Sequence, residues 1–214
     1  MISLVILDFD GTLADTQPII IASIHHTLRE LNLPERTDEE CRSIIGLPLA
    51  QCFVTLSGVD SATAERCADV YRRIFDELNA DGVVTLFPNV LETIKALHAR
   101  GIQLAICSSR GRPTLEGFVK SFRLEQYVSM VVSANDVEHH KPHPEPVLKI
   151  LAALDVKPED ALVVGDANYD ILMGRDAGCR TCGVTYGNQG ASELRLAGAD
   201  CLIDDFSDLL ILNL

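Results

Sequence analysis

Residues Leu4 to Thr16 read LVILDFDGTLADT, and the fold is decided by how this stretch is understood. The aliphatic run Leu4 to Leu7 is too short for a helix and suits a strand buried on both faces of a parallel sheet. It then breaks into Asp8, Asp10, Gly11, Thr12 and Asp15. Side chains along a strand alternate with period two, so Asp8 and Asp10 leave its carboxyl end on the same side. Two carboxylates that close repel each other, and an oxygen-seeking divalent cation relieves the repulsion. Mg2+ is the first expectation, because it binds through one or two carboxylates and keeps positions for water and phosphate. Gly11 permits a sharp turn and a close backbone approach to a ligand. Acid-rich turns also occur as solvated loops, so the weight falls on the rest of the chain.

Beyond Asp15 the periodicity changes to that of helices. Ile20, Ile24, Leu28 and Leu31 recur at spacings of three and four, Asp38 can cap a short helix, and Gly46 to Pro48 interrupts the pattern. An amphipathic helix is expected over 61–78, and no strand is legible in this block. Asp15 to Pro18 and Asp81 to Gly82 are short polar or flexible connections, as joints of an inserted unit should be. The expected organisation is a core of residues 1–15 and 83–214 carrying an inserted all-helical unit, 16–82.

From Val83 short apolar runs alternate with helical segments, with strands expected at 102–107, 129–132, 161–164, 181–185 and 201–203. With the first strand these imply a Rossmann-like three-layer α/β/α core around a parallel sheet, whose site lies at the carboxyl ends of the strands. Ser108, Ser109 and Arg110 follow one strand, Asp166 and Asp170 follow another, and Lys141 stands in HHKPHPEP before a helix. All would gather with Asp8 and Asp10 on one edge of the sheet. His139, His140 and His143 lie close in sequence, but adjacent and prolyl-spaced histidines do not match the i, i+4 geometry of a helical metal site.

The chain has 214 residues, 47% of them hydrophobic and 23% charged, as in soluble globular proteins. A formal charge of −13 argues against nucleic acid or anionic membranes as main partners, and a phosphorylated ligand must be drawn in by local features against the overall field. No apolar run approaches a membrane span and no signal-like start is seen, so a cytoplasmic protein is expected. The seven cysteines are scattered, which suits a reducing compartment, and Cys179 and Cys182 form a CxxC in an apolar pattern that favours packing over redox or metal chemistry.

DFDGTLADT, the serines after the second core strand, KPHPEP and GDANYD occur in this order, and the set resembles the motifs of the haloacid dehalogenase superfamily, in its branch of capped phosphatases and phosphomutases. The resemblance implies that Asp8 is a nucleophile forming an aspartyl phosphate and that Asp10 is a general acid and base. A carboxylate of reference pKa ~3.9 is ionised at neutral pH and needs no separate base, which suits Asp8 to that role. The hydroxyl of Ser108 and the amide of Ser109, at a helix entrance, would hold phosphoryl oxygens, with Gly11 and Thr12 close by. Lys141 would neutralise charge on the phosphoryl group and on Asp8. The resemblance further makes Asp166 a direct Mg2+ ligand together with Asp8 and the Asp10 carbonyl, while Asp170 supports the metal's waters or orients Lys141. Arg110 stands where relatives often carry a basic residue and is open between surface and substrate contact. Gly46 and Leu47 are expected to reach over the site and shape specificity. Ala167 departs from the Ser or Thr common at its position.

The activity so implied is a Mg2+-dependent phosphatase acting on a small phosphorylated metabolite of the phosphoglycolate kind, as a monomer or weak homodimer. IGLPL (Ile45 to Leu49) and LFPNVLET (Leu86 to Thr93) look like that subgroup. A sugar phosphomutase related to β-phosphoglucomutase shares the motifs and remains the alternative, with a non-catalytic binding protein on the same scaffold as the third reading.

Overall fold

The computed structural model describes residues 1–212. Strand β1 (Leu4–Leu7) lies at the centre of the main sheet, with Leu4 and Ile6 packed on one face and Val5 and Leu7 on the other, all fully buried. A short strand β2 (Ala14–Asp15) leads into helices α1 (Gln17–Glu30), α2 (Asp38–Ser43), α3 (Leu49–Ser57) and α4 (Ser61–Leu78). The chain returns through β3 (Thr85–Leu86), which pairs antiparallel with β2, Ala14 opposite Leu86 and Asp15 opposite Thr85. Such a two-residue ribbon has no hydrophobic period to betray it in sequence.

The alternating part follows as α5 (Val90–Ala99), β4 (Gln103–Cys107), α6 (Arg112–Ser121), β5 (Met130–Val132), α7 (Glu145–Leu154), β6 (Ala161–Gly165), α8 (Asn168–Asp176), β7 (Arg180–Val184), α9 (Ala191–Ala197) and β8 (Cys201–Ile203). The sheet runs β5-β4-β1-β6-β7-β8 and every pair is parallel. Val90, Ile94 and Leu97 of α5 and Leu115, Phe118 and Val119 of α6 cover one face, whereas Val147, Ile150 and Leu151 of α7 and Met173 of α8 cover the other. The three-layer α/β/α architecture expected from the alternation is therefore present. The α9 helix was not legible, being short and with Leu194 and Ala197 alone buried.

Two sequence expectations need correction in detail. Thr37, not Asp38, caps α2: its hydroxyl accepts from the Glu40 amide at 3.2 Å while Glu40 accepts from the Thr37 amide at 2.7 Å, and Asp38 becomes the first helical residue. The helix after β4 begins at Arg112 with Gly111 at its cap, so Ser109 precedes the helix entrance by two residues. Cys179 and Cys182 have the packing role that the apolar pattern suggested: Cys179 packs among the residues covering the α7–α8 face and Cys182 among those of the opposite face, where it stands opposite Cys201 in register. Both are buried, and burial pushes the Cys179 thiol up to about 11, as for an inert packing residue.

The helices α1 to α4 pack on one another and none contains a strand partner. Their apolar faces, including Ile20, Ile24, Phe53, Tyr71 and Phe75, join the same hydrophobic cluster as Phe9 and Phe118 below them. No helix among the described residues is long and apolar enough to cross a membrane.

Candidate active site

The carboxyl ends of β1 and β4 open into a cavity of about 650 Å³, and that of β6 lies beside β1 in the sheet. Asp8 continues β1 by one residue, its amide bonded to the Val164 carbonyl at 2.9 Å. Lys141 comes in from the loop before α7 and is buried, its ammonium 2.7 Å from Asp8 Oδ1 and 2.7 Å from Asp170 Oδ1. Asp170, in the first turn of α8, also accepts the Ala167 amide at 3.1 Å on its other oxygen. Here the missing hydroxyl at Ala167 changes nothing, because the backbone makes the contact.

Asp166, at the end of β6, receives the Asn188 amide at 2.7 Å and the Asn188 side chain at 2.6 Å on Oδ2, and the Thr12 hydroxyl at 3.4 Å on Oδ1. The Gly11 backbone, at φ +81°, approaches so closely that a Cβ there would lie 2.2 Å from Asp166 Oδ2. Gly187 closes the other side, where a Cβ would fall 2.3 Å from that of Asp166. Gly11 and Thr12, expected beside the phosphate, are thus placed against the Asp166 carboxylate, and the Tyr186 hydroxyl donates to the Thr12 carbonyl at 2.9 Å.

Carboxylate oxygens of Asp8, Asp166 and Asp170 lie within 4.8 Å of one another, and all three residues are buried. Burial pushes the Asp8 carboxyl well above its usual range, the Lys141 ammonium pulls against it, and Asp170, Asp166 and Asp10 add repulsion. Burial and the charge of Asp170 push Asp166 up to about 7, against its bonds to Asn188 and the field of Lys141. For Lys141 burial works against the charged form, and Asp170 and Asp8 outweigh it, so the ammonium is held well above its ordinary value. Three buried carboxyl groups face one ammonium, so ionising all three calls for further positive charge. An oxygen-liganded divalent cation fits this donor set.

The Asp10 carboxylate stands apart from that cluster. Repulsion between Asp8 and Asp10 is relieved by two different cations: Lys141 holds Asp8, and Arg110 grips Asp10 through Nε at 3.1 Å and a terminal nitrogen at 2.5 Å. Arg110, left open between surface and site by the sequence, is buried to 9% side-chain exposure, with its guanidinium carbon 4.6 Å from the Phe75 ring centroid and 5.2 Å from that of Phe118. Ser108 is buried and its Oγ accepts the Arg110 amide at 3.1 Å. The Ser109 hydroxyl donates to the Gly46 carbonyl at 2.6 Å, which ties the α2–α3 loop to the end of β4 and brings Gly46, Leu47 and Pro48 to the cavity wall.

The exposed His139 and His143 and the half-buried Glu145 form a second group with metal-ligating atoms, outside the cavity. Its carboxylate already receives the amides of Glu138 and His139 and the His139 ring, which braces the loop bearing Lys141. Sequence reasoning missed Asn188 and the Phe75 and Phe118 rings beside Arg110. Asn188 lies in the loop after β7, beyond Val184 and without the direct strand-end position of Asp8, and the two rings come from residues far apart in the chain.

The haloacid dehalogenase-like hydrolase family matches residues 5–184. Pyrophosphatase PpaX of Anoxybacillus flavithermus is 36% identical over 209 residues, spanning 98% of this chain and 95% of that protein. A haloacid dehalogenase-like hydrolase of Bacteroides fragilis superposes with a TM-score of 0.92 at 28% identity, covering 98% of this chain and all of that one. A predicted phosphoglycolate phosphatase of Haemophilus somnus superposes at 0.83 with 27% identity, covering 100% and 98% of the two chains. The chain belongs to the haloacid dehalogenase-like hydrolase family and is an enzyme of its phosphatase kind.

Proposed function

We propose that the protein is a Mg2+-dependent phosphatase that releases inorganic phosphate from a small phosphorylated metabolite through an aspartyl phosphate on Asp8. The observation that carries this reading is the buried Lys141 ammonium, 2.7 Å from both Asp170 and Asp8, the latter lining the cavity. An Asp8 oxygen attacks phosphorus, the bond from phosphorus to the leaving oxygen breaks, and Asp10 supplies the proton that oxygen takes up. Water then attacks the acyl phosphate, Asp10 accepts its proton, and the Asp8 carboxylate is restored as phosphate leaves. Lys141 offsets charge on the attacking carboxylate, and the Ser108 hydroxyl and Ser109 amide receive phosphoryl oxygens. Asp8, Asp166 and the Asp10 carbonyl would hold Mg2+, with Asp170 orienting Lys141. When bound, the ion supplies positive charge to the phosphoryl oxygens and balances the carboxylates.

In this reading residues 16–82 act as a cap over a core of 1–15 and 83–214, admitting small substrates and limiting water at the acyl phosphate. The protein would work in the cytoplasm as a monomer or weak homodimer. The substrate class is a short phosphorylated acid of the phosphoglycolate kind. Inorganic pyrophosphate is the second reading, favoured by the name of the 36% identical relatives.

The test is hydrolysis of p-nitrophenyl phosphate with and without Mg2+ by the parent and by Asp8→Asn. Loss of about 10³-fold or more in the variant, with metal dependence in the parent, is expected. Turnover surviving in Asp8→Asn removes Asp8 from the nucleophile role.

A further inference from the structure

The Arg110 guanidinium is a built anion site already in use. Its guanidinium carbon lies against the Phe75 ring of α4 and the Phe118 ring of α6, which stand perpendicular to each other, and it presents a bidentate fork to a carboxylate. That carboxylate is Asp10, the residue that the phosphatase reading needs at the leaving oxygen. Both oxygens of Asp10 accept from Arg110, so Asp10 has to leave the guanidinium and take up a proton from solvent before it can supply one to the leaving oxygen. The guanidinium, too buried to be solvated freely, then needs another anion. Burial works against the arginine's charge, yet the carboxylate of Asp10 more than restores it, so a permanent cation waits on the cavity wall.

We propose that Arg110 recognises a second anionic group on the leaving portion of the substrate, and that the Asp10 carboxylate occupies that group's place in the free enzyme. This rests on the phosphatase reading and narrows its substrate. Because Asp10 is to serve the leaving oxygen, the atom that replaces it on Arg110 has to lie within a few bonds of that oxygen. A carboxylate on the carbon next to the ester carbon satisfies this, and so does the leaving phosphate of pyrophosphate. Longer or neutral leaving groups leave the fork on Asp10. Arg72, the other guanidinium along the wall, is bonded to Asp69 at 2.7 Å on the exposed side of α4 and does not compete for this role.

The experiment compares kcat/KM for 2-phosphoglycolate, its neutral amide phosphoglycolamide, and inorganic pyrophosphate, in the parent, Arg110→Gln and Arg110→Lys. The parent should favour 2-phosphoglycolate or pyrophosphate over the amide by about 100-fold, the scale of one charge-assisted bidentate contact. The ratio of acid to amide should collapse to within about threefold of unity in Arg110→Gln and fall between the two in Arg110→Lys, which keeps the charge but loses the fork. Whether the favoured anion is carboxylate or phosphate is read from which substrate carries the Arg110-dependent ratio. A parent that hydrolyses the three substrates without preference, or variants that keep the parent's ratio, overturn the role of Arg110 while leaving the phosphatase reading intact. A parent inert toward all three and toward p-nitrophenyl phosphate overturns both. Because parent selectivity is measured in the natural protein, poor folding of a variant leaves the first comparison decisive.

Discussion

At Gly11 and Lys141 single atoms decide the site. Gly11→Ala adds a methyl 2.2 Å from Asp166 Oδ2 at a φ of +81°, so both strain and overlap oppose it. A loss of about 2 kcal/mol or more in urea unfolding is expected, with hydrolysis falling as Asp166 shifts. Lys141→Met leaves Asp8 and Asp170 buried without their ammonium, and removing one partner of a buried pair costs about 3–5 kcal/mol. Added Mg2+ should recover part of that loss by supplying the missing positive charge; stability unchanged on loss of the ammonium would mean the pair contributes nothing. Asp8 and Asp166 were legible because each directly follows a strand of a parallel sheet, and Asp170 and Lys141 because they stand in the first turn of one following helix and in the loop before another, at the same end of the sheet. The grip of Arg110 on Asp10 was not, since it depends on side-chain directions that no spacing encodes.

At the level of elements, caps and ties set local stability. Thr37→Ala removes the hydroxyl of the α2 capping box and should lower stability by about 1 kcal/mol, read as a fall in midpoint at constant urea slope. Asp136 joins the start of α6 to the turn after β5, accepting from the Arg112 guanidinium and from the amide and hydroxyl of Ser133. Burial pushes its carboxyl up, and these donors pull it down to about 2. A folded pKa below the unfolded one gives stability that is complete above the reference value of ~3.9 and is lost as pH falls toward 2. The Asp136→Asn variant should therefore differ most from the parent near neutral pH and converge with it in acid; a constant gap down to pH ~2 would contradict this assignment. The six main-sheet strands were readable from short apolar runs bounded by turn residues. The β2–β3 ribbon was not, because Ala14–Asp15 and Thr85–Leu86 are held by pairing across the joint rather than by a pattern of their own.

Over the whole molecule, a charge of −13 surrounds a pocket meant for an anion. Salt screens that general repulsion over about 10 Å at 0.1 M, while the buried Lys141 and the guanidinium of Arg110 are screened far less. Raising NaCl from about 20 to about 200 mM should accordingly raise kcat/KM for an anionic substrate modestly, by up to a few-fold, and a steep fall would show that exposed cations do the steering instead. The alternation of strands and helices made the architecture legible, whereas the seating of α1 to α4 was not, because it rests on contacts such as that of Phe75 with Phe118, residues far apart in the chain. Every functional statement above depends on Asp8 being the atom that attacks phosphorus. The direct measurement is acid-quenched mass spectrometry of the enzyme during turnover: the account predicts one added phosphoryl group on the peptide containing Asp8, absent in Asp8→Asn. Turnover without that adduct in the parent, with the group found on another residue, would contradict it.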